Sequence, residues 1–470
     1  MKERNGQRRP NVLFVFADQW RRQAVGFRNE DPVITPNIDK FAADSLVLDQ
    51  AISCFPLCSP NRSTMMTGRF PLSTGVTSNC KTGLPIRMKP DEIGVGSMLK
   101  DAGYETGYIG KWHLDLPEQN VTPEPVSGAR GWDAYTPPGP ARFGFDFWYS
   151  YGAYDNHMAP HYWKDSPEMI RVSEWSLAHE TDVAIDYIQR RDRSKPFALY
   201  VSWNPPHQPF HMVPEKYRQM YDDDSLVLRP NVTGEGKQQA EKHLLQYYAA
   251  VTGMDDQFGR LLQSLRDEGI ADDTIVVLTS DHGETMGAHG WLEHKNIWYE
   301  ESIGIPFFIR WPGKLRRGRE DVLFNSADMV PTLLGLLGIP VPERVEGRDL
   351  SDVFKGLEAD KPTSTFICHY PGSVKEHEAA RNRGLDIHAY GWRGVRTANY
   401  TYVVDKPFGA AGAKRLLYDN ENDPYQMNPR PIEDARTDPV ALELERQLQG
   451  WLRKIDDPFM LQIGNDNLKE

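Results

Sequence analysis

Cys58-Ser59-Pro60-Asn61-Arg62 sets a thiol ahead of a proline that stiffens the turn and a guanidinium four residues on. Ser59, Ser63 or Thr64 can cap a helix running towards Thr67 and Gly68, which would put Cys58 at its positive end. A depressed thiol pKa is one consequence of such a placement. Cys54-Phe55-Pro56-Leu57-Cys58 repeats the proline without the arginine, so Cys58 is the better-equipped thiol. Asp18-Gln19 and Asp281-His282 each follow an unbroken apolar run, Val12–Ala17 and Thr274–Ser280. Their carboxylate and amide oxygens suit a hard divalent cation, and the imidazole admits Mn²⁺ or another transition ion. Singly, each aspartate reads equally well as a cap of a following helix. Lys111 and His113, in Gly-Lys-Trp-His, share one side of an extended segment. His207 sits in a proline-bounded loop, Pro-Pro-His-Gln-Pro, and Lys295 ends a His/Gly-rich turn whose His289 and His294 lack zinc-helix spacing.

These residues must be positioned by the elements around them. Apolar runs at Val12–Ala17, Phe197–Trp203, Thr274–Ser280 and Ile305–Trp311, with strand character at Val47–Ser53 and Tyr104–Ile109, alternate with helical periodicity at Pro36–Leu46, Ile93–Ala102, Glu174–Arg190, Gln238–Arg266 and Ser326–Leu337. That alternation predicts an α/β fold with a large, mostly parallel sheet flanked by helices. In such sheets, sites assemble beyond the carboxyl ends of the strands, where Asp18, Asp281 and His207 fall. Between 114 and 163 the periodicity fails and aromatics crowd in, as in a functional insertion or lid. After residue 362 short strands and a terminal helix, Val440–Ile455, predict a small C-terminal α+β subdomain over 363–470 beside a catalytic domain over 1–362.

The pattern Cys-x-Pro-x-Arg followed by Thr67-Gly68 resembles that of type I sulfatases, of the alkaline phosphatase superfamily. Landmarks run from Asn11 to Trp311, with a weaker one at Arg393-Gly-Val-Arg396 and Tyr400-Thr-Tyr402. The resemblance implies that a formylglycine-generating or anaerobic sulfatase-maturating enzyme oxidises Cys58 to formylglycine. It implies a divalent ion, Ca²⁺ in the family, on Asp18, Gln19, Cys58, Asp281 and His282. Gln19 stands where a second aspartate is frequent and His282 where asparagine is, as in choline-sulfatase-like and phosphonate-hydrolase-like branches. The implied chemistry is attack of the hydrated aldehyde on a sulfate ester. Arg62, Lys111 and Lys295 would balance the equatorial oxygens, His207 would protonate the leaving alkoxide, and His113 would then collapse the sulfated hemiacetal.

Substrate is less legible. Tyr154, Asn156, His157 and His161, with His388 and Trp392, are the expected pocket rim, and aromatics beside polar groups suit a sulfated carbohydrate. A phosphonate monoester or phosphodiester hydrolase of the same superfamily is the enzymatic alternative. An inactive saccharide-binding relative is the non-enzymatic one. With a net charge of −12 and no basic run beyond paired arginines, a nucleic-acid role is not expected, and no apolar run reaches membrane-spanning length. Lacking an apolar stretch after the first charges, the chain reads as cytoplasmic as written, or periplasmic or secreted if an export signal has been removed. The four cysteines show no zinc spacing, and a Cys54–Cys80 disulfide stays open.

Overall fold

The computed structural model describes residues 9–459, which divide into two compact units after Pro362. The first is built on an eight-stranded mixed sheet. Its strands are β1 (Asn11–Ala17), β2 (Leu46–Ile52), β3 (Glu105–Lys111) and β4 (Phe147–Tyr151). After a two-stranded ribbon of β5 (His161–Tyr162) and β6 (Ile170–Arg171) come β7 (Phe197–Trp203), β8 (Thr274–Ser280), β9 (Phe307–Arg310) and β10 (Gly318–Asn325). The spatial order is β10-β2-β9-β8-β1-β7-β3-β4, and β9 runs antiparallel to both its neighbours while every other pairing is parallel. Strands β1, β7 and β8 are buried at every residue, as a sheet covered on both faces requires. Leu13, Val15 and Ala17 face the helices Ser176–Arg190 and Gly236–Asp267, which bring in Leu177, Ile188, Leu244, Val251 and Phe258. On the opposite face Phe16 lies under the guanidinium of Arg62 from the helix Cys58–Thr67.

Two strands of the eight-stranded sheet escape the sequence reading. Phe147–Tyr151 belongs to the aromatic stretch expected as an insertion, yet it is the edge strand beside β3, with Trp148 stacked on Tyr108 at 5.3 Å between centroids. Aromatic rings, rather than alternating aliphatics, supply its packing. Strand β10 begins with exposed Gly318-Arg319 and turns apolar only at Val322, because it lies at the sheet edge. Gly338, in the left-handed region, closes the helix Met329–Leu337.

The second unit has an antiparallel sheet of β11 (Thr365–His369), β12 (Gly391–Arg396), β13 (Tyr400–Lys406), β14 (Lys414–Asp419) and β15 (Arg430–Pro431). The helix Pro439–Lys454 buries Ala441, Leu444, Leu448 and Leu452. Among the described residues no helix is long and apolar enough to cross a membrane. All four cysteines are free, so the Cys54–Cys80 pairing left open above is not made; Cys54 Sγ instead lies near Asn61 and Thr64.

Gly110 shows how closely the strands beside the site approach. Its φ is +96°, and a Cβ there would run into the Ser202 carbonyl on β7. Gly110→Ala is expected to cost about 3 kcal/mol, from the left-handed penalty plus overpacking. An unchanged urea midpoint would show that the backbone has room there.

Candidate active site

Four strand ends and one helix start converge. Asp18 and Gln19 follow β1, Lys111 ends β3, His207 follows β7 by four residues, and Asp281 and His282 follow β8. Cys58 is the first residue of its helix, and Leu57, in extended conformation, precedes it without a side-chain cap. Ser59, Ser63 and Thr64 do not cap it as expected. The cap comes from elsewhere in the chain: Asn79 Oδ1 accepts the Ser59 N–H at 3.0 Å, while Ser63 and Thr64 bond back to the Pro60 carbonyl. Gly68, at φ +69°, closes the helix.

Cys58 Sγ lies 3.5 Å from Asp18 Oδ1, 3.4 Å from His282 Nε2 and 3.4 Å from Lys295 Nζ. Candidate ligand atoms of Asp18, Cys58, Asp281 and His282 all fall within 4.8 Å of one another. His282 Nδ1 donates to the Gly283 carbonyl at 2.9 Å, which turns Nε2 towards this cluster, the orientation a metal-binding imidazole needs. Burial works against a charge on His282, yet the Asp281 carboxylate raises its pKa to about 10. The mixed carboxylate, imidazole and sulfur donors fit a divalent ion.

Electrostatics separates the cysteines. Burial pushes Cys54 up to about 11 and Cys80 up to about 12. At Cys58 burial and Asp18 push the same way, but Lys295, Lys111 and a hydrogen bond with His113 outweigh them and hold the thiol well below its usual range. Asp18 is also held low against its burial, by Lys111 at 2.7 Å, by His207 and by Arg62. Burial, then the charge of Asp18, raises Asp281.

Arg62 departs from its expected role. Its Nε bonds Asp281 Oδ2 at 2.9 Å and its Nη2 bonds Asp18 Oδ2 at 3.0 Å. Nη1 donates to both the Lys111 carbonyl and Ser202 Oγ. A guanidinium so engaged holds the two carboxylates in register; it is not spread over an anion's oxygens. Lys111 and Lys295 are the ammonium groups aimed at the cluster. Gln19, expected as a ligand, has φ +67° and accepts Lys295 Nζ on Oε1 at 2.7 Å. Its bend is held by Asp281 Oδ1 on its N–H and by the Tyr247 hydroxyl on its carbonyl.

His113, at φ +55°, donates Nε2–H to the Cys80 carbonyl at 3.2 Å, which leaves its buried Nδ1 for the Cys58 thiol. Burial lowers its pKa, which favours the neutral ring that can accept a proton. His207 donates Nδ1–H to the Gln208 carbonyl at 2.6 Å. Its own carbonyl accepts His157 Nε2 at 2.8 Å, and burial lowers the His157 pKa to about 4. His157 thus braces the His207 loop. His161 is buried with Nε2 on Asp133 at 2.6 Å, inside the insertion. Tyr154, ring to ring with His161 at 4.2 Å, offers its carbonyl to Asn204, while Asn156 bonds the Ala159 N–H. His388 contacts Asp386, and Trp392 stacks on His369, both within the second unit.

Sequence reasoning missed Asn204, Asp155 and Glu284. Asn204 accepts from Lys111 Nζ at 3.1 Å and donates to Asp155 Oδ1 at 3.0 Å; it directly follows β7, a position that could have flagged it. Asp155 lies 3.5 Å from His207 Nδ1 in a stretch without periodicity, and nothing local marks it. Glu284 is fully buried, accepts from Gln19 Nε2, from the Met286 N–H and from His294, and so orients the Gln19 amide.

Comparison with known proteins places this geometry. Residues 10–339 match the family described as Sulfatase, and 287–454 match the N-sulphoglucosamine sulphohydrolase C-terminal family. The chain is 38% identical to the Endo-4-O-sulfatase of Bacteroides thetaiotaomicron over 96% of this chain and 93% of that protein. It is 31% identical to the Ulvan-active sulfatase of Formosa agariphila over 96% of this chain and 82% of that one. A solved structure from the work on metabolism of multiple glycosaminoglycans by Bacteroides thetaiotaomicron superposes with a TM-score of 0.88 at 36% identity, covering 96% of this chain and 97% of that chain.

Glu284→Gln keeps the shape but gives Gln19 a partner that can pair with its amide either way round. Affinity for an added divalent cation, read as thermal shift against metal concentration, is expected to drop about 10–100-fold. Superimposable titrations of variant and parent would rule out this orienting role.

Proposed function

This chain belongs to the sulfatase family, and on that premise we propose that it hydrolyses the sulfate ester of a sulfated saccharide, with Cys58 oxidised to formylglycine and a divalent ion, Ca²⁺ first among candidates, on Asp18, Gln19, Asp281 and His282. The observation that carries the reading is the convergence on one thiol of Lys295, His282 and Asp18, all within 3.5 Å. When present, the aldehyde hydrate and the ion supply an acidified hydroxyl able to attack sulfur. The two named relatives act, by their names, at a 4-O-sulfate and on ulvan, which supports a carbohydrate substrate.

The chain's own groups account for the rest. Lys111 and Lys295 bring positive charge to the side of Cys58 on which sulfate oxygens would gather, and electrostatic stabilisation of that kind is the largest expected contribution. Arg62 keeps both carboxylates aligned. His207, with Nδ1–H on the Gln208 carbonyl, offers Nε2 for proton donation to the departing sugar oxygen. Asp155 Oδ1 lies 3.5 Å from the same Nδ1 and helps fix the ring's orientation. His113 offers Nδ1 as a base next to Cys58, its Nε2 being tied to Cys80. Cys58 is only 1% exposed, so a formylglycine-generating or anaerobic maturating enzyme must reach it before the segment is packed.

Active protein is expected to show the mass of an aldehyde at Cys58, and Cys58→Ala to abolish sulfate release without unfolding. Full activity with an intact thiol would end the formylglycine reading. His207→Ala is expected to slow saccharide sulfates by about 10²–10⁴-fold but aryl sulfates much less, because a phenolate leaves without an acid. Equal losses on both would remove His207 as the acid.

A further inference from the structure

Trp132 is a large aromatic left 44% exposed, and its indole lies nearly parallel to the His113 imidazole, 6.2 Å between centroids and 24° between planes. The Lys81 ammonium lies 5.9 Å from the same indole. Single exposed apolar side chains are common and mean little. This one is held from several directions. Gly131, just before it, receives Thr82 Oγ1 on its carbonyl at 2.6 Å and gives its N–H to Gln119 Oε1 at 2.7 Å. Asn120 joins the two loops by accepting from the Gly83 N–H at 2.7 Å and donating to the Lys81 and Leu84 carbonyls.

The Lys81 loop is in turn moored to the nucleophile. Cys80 N–H donates to Ser59 Oγ at 3.0 Å, Ser59 Oγ donates to the His113 carbonyl at 2.7 Å, and Asn79 caps the Cys58 helix. The loops that carry Trp132 and Lys81 are therefore fixed relative to both Cys58 and His113, and neither residue belongs to the catalytic set described above. An indole face stacks on the C–H face of a sugar ring, and an ammonium beside it attracts an anionic substituent. Little ordering is lost on binding, because hydrogen bonds already hold both loops.

We propose that Trp132 and Lys81 form a second saccharide subsite beside His113, which takes the sugar next to the sulfated one when that neighbour carries an anionic group. The inference rests on the saccharide reading above and adds to it a requirement for an acidic chain, longer than one sugar. A carboxylate and a second sulfate would satisfy Lys81 alike, and the substrates below separate them.

The test uses the full matured chain and four substrates: a small aryl sulfate and three sulfated trisaccharides that differ only in the neighbouring sugar, bearing a carboxylate, a sulfate or a neutral hydroxymethyl. Trp132→Ala is expected to lower kcat/KM on the acidic trisaccharides at least about tenfold more than on the aryl sulfate, mainly through KM, as truncating an anchoring aromatic does. Trp132→Phe should recover most of that loss. Lys81→Gln should abolish the preference for an acidic over a neutral neighbour, and the acidic arm the parent prefers identifies the anion. Equal losses on trisaccharide and aryl sulfate in Trp132→Ala, or an unaltered preference in Lys81→Gln, would overturn the subsite. Sulfate release from the aryl ester but from no trisaccharide by the parent protein would instead overturn the saccharide reading, and the subsite with it.

Discussion

The site depends on the buried contact of Arg62 with Asp18 and Asp281. Each carboxylate stands at the end of its own strand, β1 or β8, side by side in the sheet. Two anions that close, with no water, repel one another strongly unless a cation is set between or behind them. The guanidinium provides that cation from the helix beginning with Cys58. The same contact fixes the pitch of that helix against the sheet and so the position of the thiol. Fold stability and catalytic geometry therefore share one set of hydrogen bonds. This explains why a residue expected to bind the substrate's charge is instead placed behind the acids.

Around that anchor the backbone adopts costly conformations where the chemistry is densest. Gln19 and His113 both have positive φ, rare for residues with a side chain, and each is over-determined by its neighbours. Gln19 is gripped by Asp281, Tyr247 and Glu284. His113 is gripped by Cys80 through its ring and by Ser59 through its carbonyl. Turning the chain sharply just past a strand end is what brings side chains from adjacent strands to one point.

Charge is balanced locally although the protein as a whole is acidic. A chain of net charge −12 still concentrates Arg62, Lys111 and Lys295 at one place, and neighbouring carboxylates keep them there. The three thiols of this unit illustrate how short-ranged such effects are: Cys54 and Cys80, equally buried, shift the opposite way, with burial the largest cause at each.

The amino-acid sequence by itself determined the alternation of apolar runs with amphipathic helices, and hence the parallel core of β1, β7 and β8 and the positions of Asp18, Asp281 and His207 at or just beyond strand ends. These are local properties: burial on both faces dictates an apolar run, and a polar residue at its end is visible by contrast. The cysteine motif was legible for the same reason, its proline and arginine lying within one helical turn and a half. Only the tertiary structure decided that β9 runs antiparallel and that Phe147–Tyr151 closes the sheet edge. It also decided that Asn79 rather than a neighbouring serine caps the nucleophile helix, and that Arg62 serves the carboxylates while Glu284 steers Gln19. Each of these depends on partners more than fifteen residues away, and no periodicity or spacing records which distant donor a buried acceptor will meet.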